Sequence, residues 1–286
     1  MPAMIILIKS PDQKGLVSRI STLVFERGFN ILDCQQHVDL GSGLFFMRLK
    51  LDLEERPAPL PDLEAAFEKL AAAFQFTWSV HYTERVERVA ILVTKAPHCL
   101  YDLLVRQREG ELPCEVPVII SNHDHLAQVA RQFGVDYCHL PVTSETRAGQ
   151  ESAINDVLRR ERIGLVVLAR YMQVLSPGFV AMHTGRIINI HHAFLPAFQG
   201  ANAYQQAYSR GVKMIGATAH YVTEVLDEGP IIEQDVERVS HEDSPKELQR
   251  IGRDIERIVL ARAVKAHLEH RVIVAGRRAI VFSAGV

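Results

Sequence analysis

The chain has 286 residues, 48% of them hydrophobic and 23% charged, with a formal net charge of −2, a length too great for one average domain and comfortable for two. Interspersed acids and bases give no electrostatic reason to expect nucleic-acid or membrane binding, and the apolar share excludes a disordered or fibrous chain. Cys34, Cys99, Cys114 and Cys138 form no CxxC pair and no signal peptide precedes the first strand-like run, so reduced thiols and a cytoplasmic, small-molecule role are expected.

The first 83 residues read strand, helix, strand, strand, helix, strand. Met4 to Lys9 is a strand, followed by a helix with Leu16, Ile20, Leu23 and Val24 on one stripe and Gly28 as its stop. Asn30 to Leu40 and Leu44 to Leu53 flank Gly41-Ser-Gly43, a hairpin turn. After the Pro-rich Arg56 to Pro61, a helix over Asp62 to Phe74 leads to a strand at Phe76 to Tyr82. That order is the ferredoxin-like βαββαβ plan. The charged stretch Thr83 to Arg88 places a boundary near residue 85, giving domains 1–84 and 85–286.

Beyond it, apolar strands at Val89–Thr94, Val116–Ser121, Tyr137–His139, Leu165–Ala169 and Ile187–Ile190 alternate with helical stretches near 98–109, 125–133, 149–161 and 178–183. Alternation of this kind predicts an α/β, Rossmann-like domain with a mostly parallel sheet. Strands at Lys213–Val222 and Ile231–Val239, a long helix from Pro245 to His267 and a hairpin over Val272 to Phe282 complete the chain.

Ile187 to Phe198 begins as a buried strand and breaks at Pro196, so its polar residues fall at a strand's carboxyl end, where α/β sheets bind ligands. Asn189 and His191, two apart, share a face, while His192 should point away. An amide can donate to a developing oxyanion and an imidazole can move a proton near neutral pH, which suits acyl transfer. Asp227, in the loop before Gly229-Pro230, could order a water or hold His191. Singly, the three also read as a strand-end amide, a hydrogen-bonded histidine and a turn aspartate.

No HExxH or comparable spacing groups the histidines, so no metal is expected. Asn122-His-Asp-His125 reads as a helix cap. Neither a GxGxxG nor a GxxxxGK[ST] cradle is present, which removes the usual support for dinucleotide or triphosphate chemistry.

With these residues in hand, the second half resembles the folate-dependent formyltransferases. It carries Asn189-Ile190-His191 before Leu195-Pro196, Leu168 to Ser176, His220-Tyr-Val-Thr-Glu, and Asp227-Glu-Gly-Pro-Ile-Ile232 in order. The first half is similar to an ACT domain through Asp12 to Ile20, Gly28 to Ile31 and Phe45 to Arg48. The fusion resembles the deformylase branch of that family.

The resemblance implies that Asn189 polarises a formyl oxygen, His191 stabilises the oxyanion and shuttles a proton, and Asp227 orders water and tunes His191. Backbone at Arg170, Met172, Val174 and Val225 would hold the pterin, and Gly15, Gly28, Asn30 and Ile31 would form an amino-acid effector site in a homodimer or homotetramer. No prosthetic group is implied: 10-formyltetrahydrofolate is the substrate, and formate would feed one-carbon and purine metabolism. Relatives that formylate a phosphorylated amine carry a Gly- and Ser-rich anion loop after the first strand of this domain. Here Val93 to Leu103 has no glycine, and Pro97 removes a donor, so water is the expected acceptor, ahead of transfer to an amine or a regulatory protein without turnover.

Overall fold

The computed structural model describes residues 2–54, 60–196 and 203–284. Most of the Pro-rich turn and the end of the 187–198 segment therefore lie outside the described residues. The chain divides into two compact units: Met1–Val86 with Glu269–Ile273 and Ile280–Val286, and Glu87–Leu268 with Val274–Ala279.

In the first unit, β1 (Ala3–Pro11), α1 (Leu16–Glu26), β2 (Ile31–Asp39), β3 (Leu44–Asp52), α2 (Leu60–Phe74) and β4 (Thr77–Tyr82) follow the βαββαβ plan. Antiparallel pairing gives the order β2-β3-β1-β4. Met4, Ile6 and Ile8 of β1, and Phe45, Met47, Leu49 and Leu51 of β3, alternate onto one face. They pack against Leu16, Ile20 and Val24 of α1 and Leu63 and Phe67 of α2, as periods of 2 and 3.6 require. Arg48 points from β3 away from that core, yet it is only 6% exposed. Its guanidinium meets Asp33 at 2.8 Å and donates to the carbonyls of His270 (3.1 Å) and Glu269 (3.2 Å). The sequence assigns residues 85–286 to the second domain; the segments Glu269–Ile273 and Ile280–Val286 instead cluster with the first unit, and Arg48 is one reason.

The second unit contains β5 (Glu87–Val93), α3 (His98–Arg108), β6 (Cys114–Ser121), α4 (Ala127–Phe133), β7 (Asp136–His139), α5 (Arg147–Arg160), β8 (Leu165–Leu168), α6 (Pro177–Met182), β9 (Ile187–His191), α7 (Ala203–Arg210), β10 (Met214–Tyr221), β11 (Ile231–Arg238) and α8 (Pro245–Leu268), followed by β12 (Val272–Ala275) and β13 (Arg278–Val281). The sheet order is β12-β13-β11-β10-β9-β8-β5-β6-β7. Strands β7, β6, β5, β8 and β9 run parallel, and β10 reverses against β9. Ala90, Leu92, Val118, Ile120, Val166 and Leu168 form one layer with Ile154 and Leu158 of α5. The intervening Ile91, Ile119 and Val167 are also buried, the pattern of a sheet covered on both faces.

Parallel strands put their carboxyl ends on one edge, so the residues following β5, β6, β8 and β9 meet there. Asn122, which with Asp124 is a candidate helix cap in the sequence, instead accepts from Thr94 Oγ1 at 3.0 Å along this edge. Helix α4 starts after Leu126 with no side-chain cap, and Ala127 N donates to the Asp124 carbonyl.

Candidate active site

Strand β9 carries Asn189 and His191, and antiparallel β10 sets His220 opposite Asn189 and Thr218 opposite His191. Thr218 Oγ1 donates to the Ala193 carbonyl (2.9 Å) and accepts from Leu195 N (3.0 Å), latching the turn that ends β9. The loop after β10 returns at once: Tyr221 N donates to the Pro230 carbonyl at 3.0 Å. Gly229 lies so close that a Cβ there would sit 1.7 Å from the Tyr221 carbonyl oxygen. This tight closure, with Asp227 at φ 57°, brings the carboxylate over the two histidines.

Asp227 Oδ2 is 3.3 Å from His191 Nδ1 and Oδ1 is 3.7 Å from His220 Nε2. Asn189 Nδ2 donates to His220 Nε2 at 3.3 Å, and His220 Nδ1 donates to the Tyr221 carbonyl at 2.9 Å. Burial pushes the Asp227 carboxyl up, but its pairing with His191 and the neighbouring His220 outweighs this and holds it well below its ordinary value. With Nδ1 turned to Asp227, His191 keeps Nε2 buried and without a hydrogen-bond partner among the described residues. A fixed imidazole with one unspent nitrogen beside a side-chain amide suits a reaction that develops charge on a carbonyl oxygen.

These groups line a cavity of about 280 Å³ whose other walls include Arg170, Met172 and Val174 after β8 and Leu226 after β10. The 170–176 loop is tied down from several sides. Met172 N donates to Thr94 Oγ1 at 2.9 Å, and Glu151 receives both Ser176 N (2.7 Å) and the Ser176 hydroxyl. His192 also lines the cavity, its ring centroid 5.2 Å from that of His191. The divergence of adjacent strand residues does not apply to it, because β9 ends at His191. Burial first, then Arg170 and His191, lower its pKa to about 4.

Behind this wall Glu256 of α8 is 1% exposed. It receives Tyr204 OH (2.5 Å), pairs with His98 Nε2 (2.8 Å) and lies 3.4 Å from Arg170 Nε. Gly252 makes this approach feasible, since a Cβ there would stand 2.0 Å from the Tyr204 hydroxyl. Burial raises the Glu256 carboxyl, yet the bond from His98, the Arg170 charge and the bond from Tyr204 bring it below its ordinary value. His98, Cys99 and Glu256 place three potential metal ligands within 4.8 Å. The Arg170 guanidinium already supplies positive charge to that carboxylate, and burial, then Glu256, push the Cys99 thiol well up, away from the thiolate a metal would bind.

Family models for the ACT domain and for the formyl transferases match residues 4–68 and 87–264. Over 278 residues the chain is 50% identical to the formyltetrahydrofolate deformylase of Synechocystis sp., spanning 97% of this chain and 98% of that one. The chain belongs to the formyltetrahydrofolate deformylase family. The crystal structure of a formyltetrahydrofolate deformylase from Pseudomonas syringae pv. tomato superimposes with a TM-score of 0.96 at 41% identity, covering 99% of this chain and 95% of that chain. A glycinamide ribonucleotide transformylase 1 from Symbiobacterium toebii matches with a TM-score of 0.67 at 32% identity, over 71% of this chain and 97% of that one.

Against the deformylase expectation, the structure brings Asn189, His191 and Asp227 together, and Arg170, Met172 and Val174 to the same cavity. Val225 differs: it is not among the cavity-lining residues, and its carbonyl accepts from Thr223 Oγ1 (3.0 Å) and Glu228 N (3.4 Å). Of the Met172 backbone, expected with its neighbours to hold the pterin, the N–H donates to Thr94 Oγ1. Gly15 precedes α1 and Gly28, Asn30 and Ile31 follow it, so an 11-residue helix of about 16 Å separates the two halves of the expected effector site. Sequence reasoning missed His220, Glu256 and Tyr204 as members of the polar network. The pairing register of β10 carries the signal for His220; Glu256 lies on the buried stripe of α8, where a carboxylate demands a partner.

Proposed function

We propose that this protein hydrolyses 10-formyltetrahydrofolate to formate and tetrahydrofolate in the cytoplasm. The observation that carries the reading is the buried His191–Asp227 pair beside Asn189, inside a cavity at the carboxyl edge of the parallel sheet. Asn189 Nδ2 has two hydrogens; one goes to His220 and the second is available to the formyl oxygen. Charge that gathers on that oxygen as water adds to the carbon is met by the Asn189 amide and by His191 Nε2. Asp227 holds the ring through Nδ1, so little reorganisation is needed at the moment of reaction. Collapse breaks the carbon–nitrogen bond, the folate nitrogen takes a proton, and formate leaves.

Water as the acceptor is supported by the start of α3. Pro97 stands at its N-cap position, His98 is spent on Glu256 and Cys99 is fully buried. A glycine-rich cradle of backbone donors for a phosphorylated amine is absent from Val93 to Leu103. Incubating the protein with 10-formyltetrahydrofolate and no amine tests the reading: formate and tetrahydrofolate are expected in equal amounts. An absolute requirement for an amine acceptor would replace hydrolysis with transfer.

The first unit is proposed to bind a small amino acid between two copies of the chain. Gly15 and the Gly28–Ile31 group lie at opposite ends of α1, so a single small ligand touching both sets needs one set from each copy. Light scattering and thermal shift with amino acids test this together.

A further inference from the structure

In the hydrolysis proposed above, a proton must leave the attacking water, and the groups assigned so far are poorly placed to take it. Asp227 has both oxygens turned to histidines, Oδ2 to His191 and Oδ1 to His220, which leaves neither facing an attacking water. His191 spends Nδ1 on Asp227, and its Nε2 donates to the oxyanion; one nitrogen cannot donate there and accept from water at the same instant. His220 is engaged at Nδ1 by the Tyr221 carbonyl and at Nε2 by Asn189.

His192 meets the requirement. It lines the cavity, is only partly buried, and neither ring nitrogen makes a hydrogen bond among the described residues. Its ring is held between His191, at 5.2 Å between centroids, and Tyr204, at 5.9 Å. We propose that His192 is a further catalytic residue of this reaction, the base that takes the proton from the attacking water; the proposal rests on the deformylation reading. As the water oxygen bonds to the formyl carbon, one of its protons passes to a His192 ring nitrogen. When the carbon–nitrogen bond breaks, that proton passes to the folate nitrogen, so hydrolysis closes with no other reactant and His192 returns to its neutral form.

The surroundings suit a transient charge. Burial, Arg170 after β8 and His191 of β9 keep the ring neutral at rest, while Glu256 of α8 and Asp227 favour the imidazolium once formed. Tyr204 of α7 completes the groups around the ring. A neutral imidazole able to accept, with two carboxylates near enough to ease protonation, is the arrangement general base catalysis needs.

The test begins with the full-length wild-type protein, whose formate release from 10-formyltetrahydrofolate establishes the underlying activity; without it the deformylation reading itself falls. In His192→Ala and His192→Gln, kcat is expected to drop about 100-fold, the lower range for loss of a general base, with tetrahydrofolate binding within about 3-fold of wild type. Added imidazole should restore His192→Ala by about 10-fold or more, rising as the added base becomes neutral. Wild-type kcat in either variant overturns the proposal. So does a rise confined to KM, or a loss of kcat in His192→Ala that imidazole does not touch. Loss of tetrahydrofolate binding in both variants would assign His192 to packing instead.

Discussion

Asp227 sits at φ 57°, a conformation uncommon for a residue with a side chain, with its carboxylate 8% exposed and two histidines against it. Asp227→Asn keeps the shape and removes the charge, so tetrahydrofolate should still bind while kcat falls by about 10²–10⁴. Steady-state kinetics with a parallel binding titration separates the two. Asn189→Ala removes the amide donor, and kcat should fall about 10²–10³ with little change in KM.

The Asp227 carboxyl also makes a prediction in pH. Its value is lowered in the folded chain, so its stabilising contribution is complete above the ordinary value of 3.8 and is lost as pH falls from there toward the folded value. The Tm advantage of wild type over Asp227→Asn should therefore be constant from pH 7 to about 5 and shrink below about 4. A gap that stays constant down to pH 3 would mean the carboxylate is not stabilised by its partners.

Asn189 and His191 were legible because a period of 2 fixes which residues share a face. His192 was not, because its direction depends on where β9 ends. That end is set by Thr218 and Gln234 on neighbouring strands, Gln234 Nε2 donating to the Leu195 carbonyl at 3.1 Å. No local pattern around His192 contains that information.

At the scale of elements, the carboxylate is placed by the return from β10 to β11 rather than by its own strand. The register shifts between Ala219 and His220 as β10 leaves its pairing with β11, and Gly229 packs against the Tyr221 backbone. Since the Gly229 conflict is with backbone and not with a flexible side chain, Gly229→Ala must move the loop. A cost of about 1–3 kcal/mol is expected from overpacking, together with a drop in kcat that exceeds any change in folate affinity. Urea unfolding and kinetics on the same variant check both; unchanged kcat would mean that Asp227 keeps its place without this closure.

Elements with strong internal rhythm were readable. The β1, β3 and α1 residues that form the first core recur at the spacing their elements require. Helix α7 was not anticipated: it has eight residues, Ala203–Arg210, with Ala207 its one buried residue among those described, so it presents almost no apolar stripe. Yet it delivers Tyr204 to Glu256 and to His192. A cap by Asn122 failed for a related reason, since its amide found a long-range partner in Thr94, 28 residues away in sequence.

Across the whole molecule, the chain leaves the first unit at Val86 and comes back to it at Glu269. A boundary read along the sequence assigns each stretch once and does not foresee a return. The anchor is Arg48: burial lowers its pKa, the Asp33 carboxylate opposes that fall, and two carbonyls of the returning segment complete its hydrogen bonding. Arg48→Met keeps much of the side-chain volume but leaves Asp33 and both carbonyls without the donor, a loss of about 3 kcal/mol for a broken buried pair. Trp78, the only tryptophan in the chain, packs against Phe67 in the same unit at 5.2 Å between centroids. Its fluorescence therefore follows this unit, and its urea midpoint should fall by about 1–3 M in Arg48→Met at an ordinary denaturant slope. Arg48→Lys retains the charge without the fork that spans carboxylate and carbonyls, so it should lie between the two. A Trp78 transition unmoved in both variants would show that the returning segment is held by something other than Arg48.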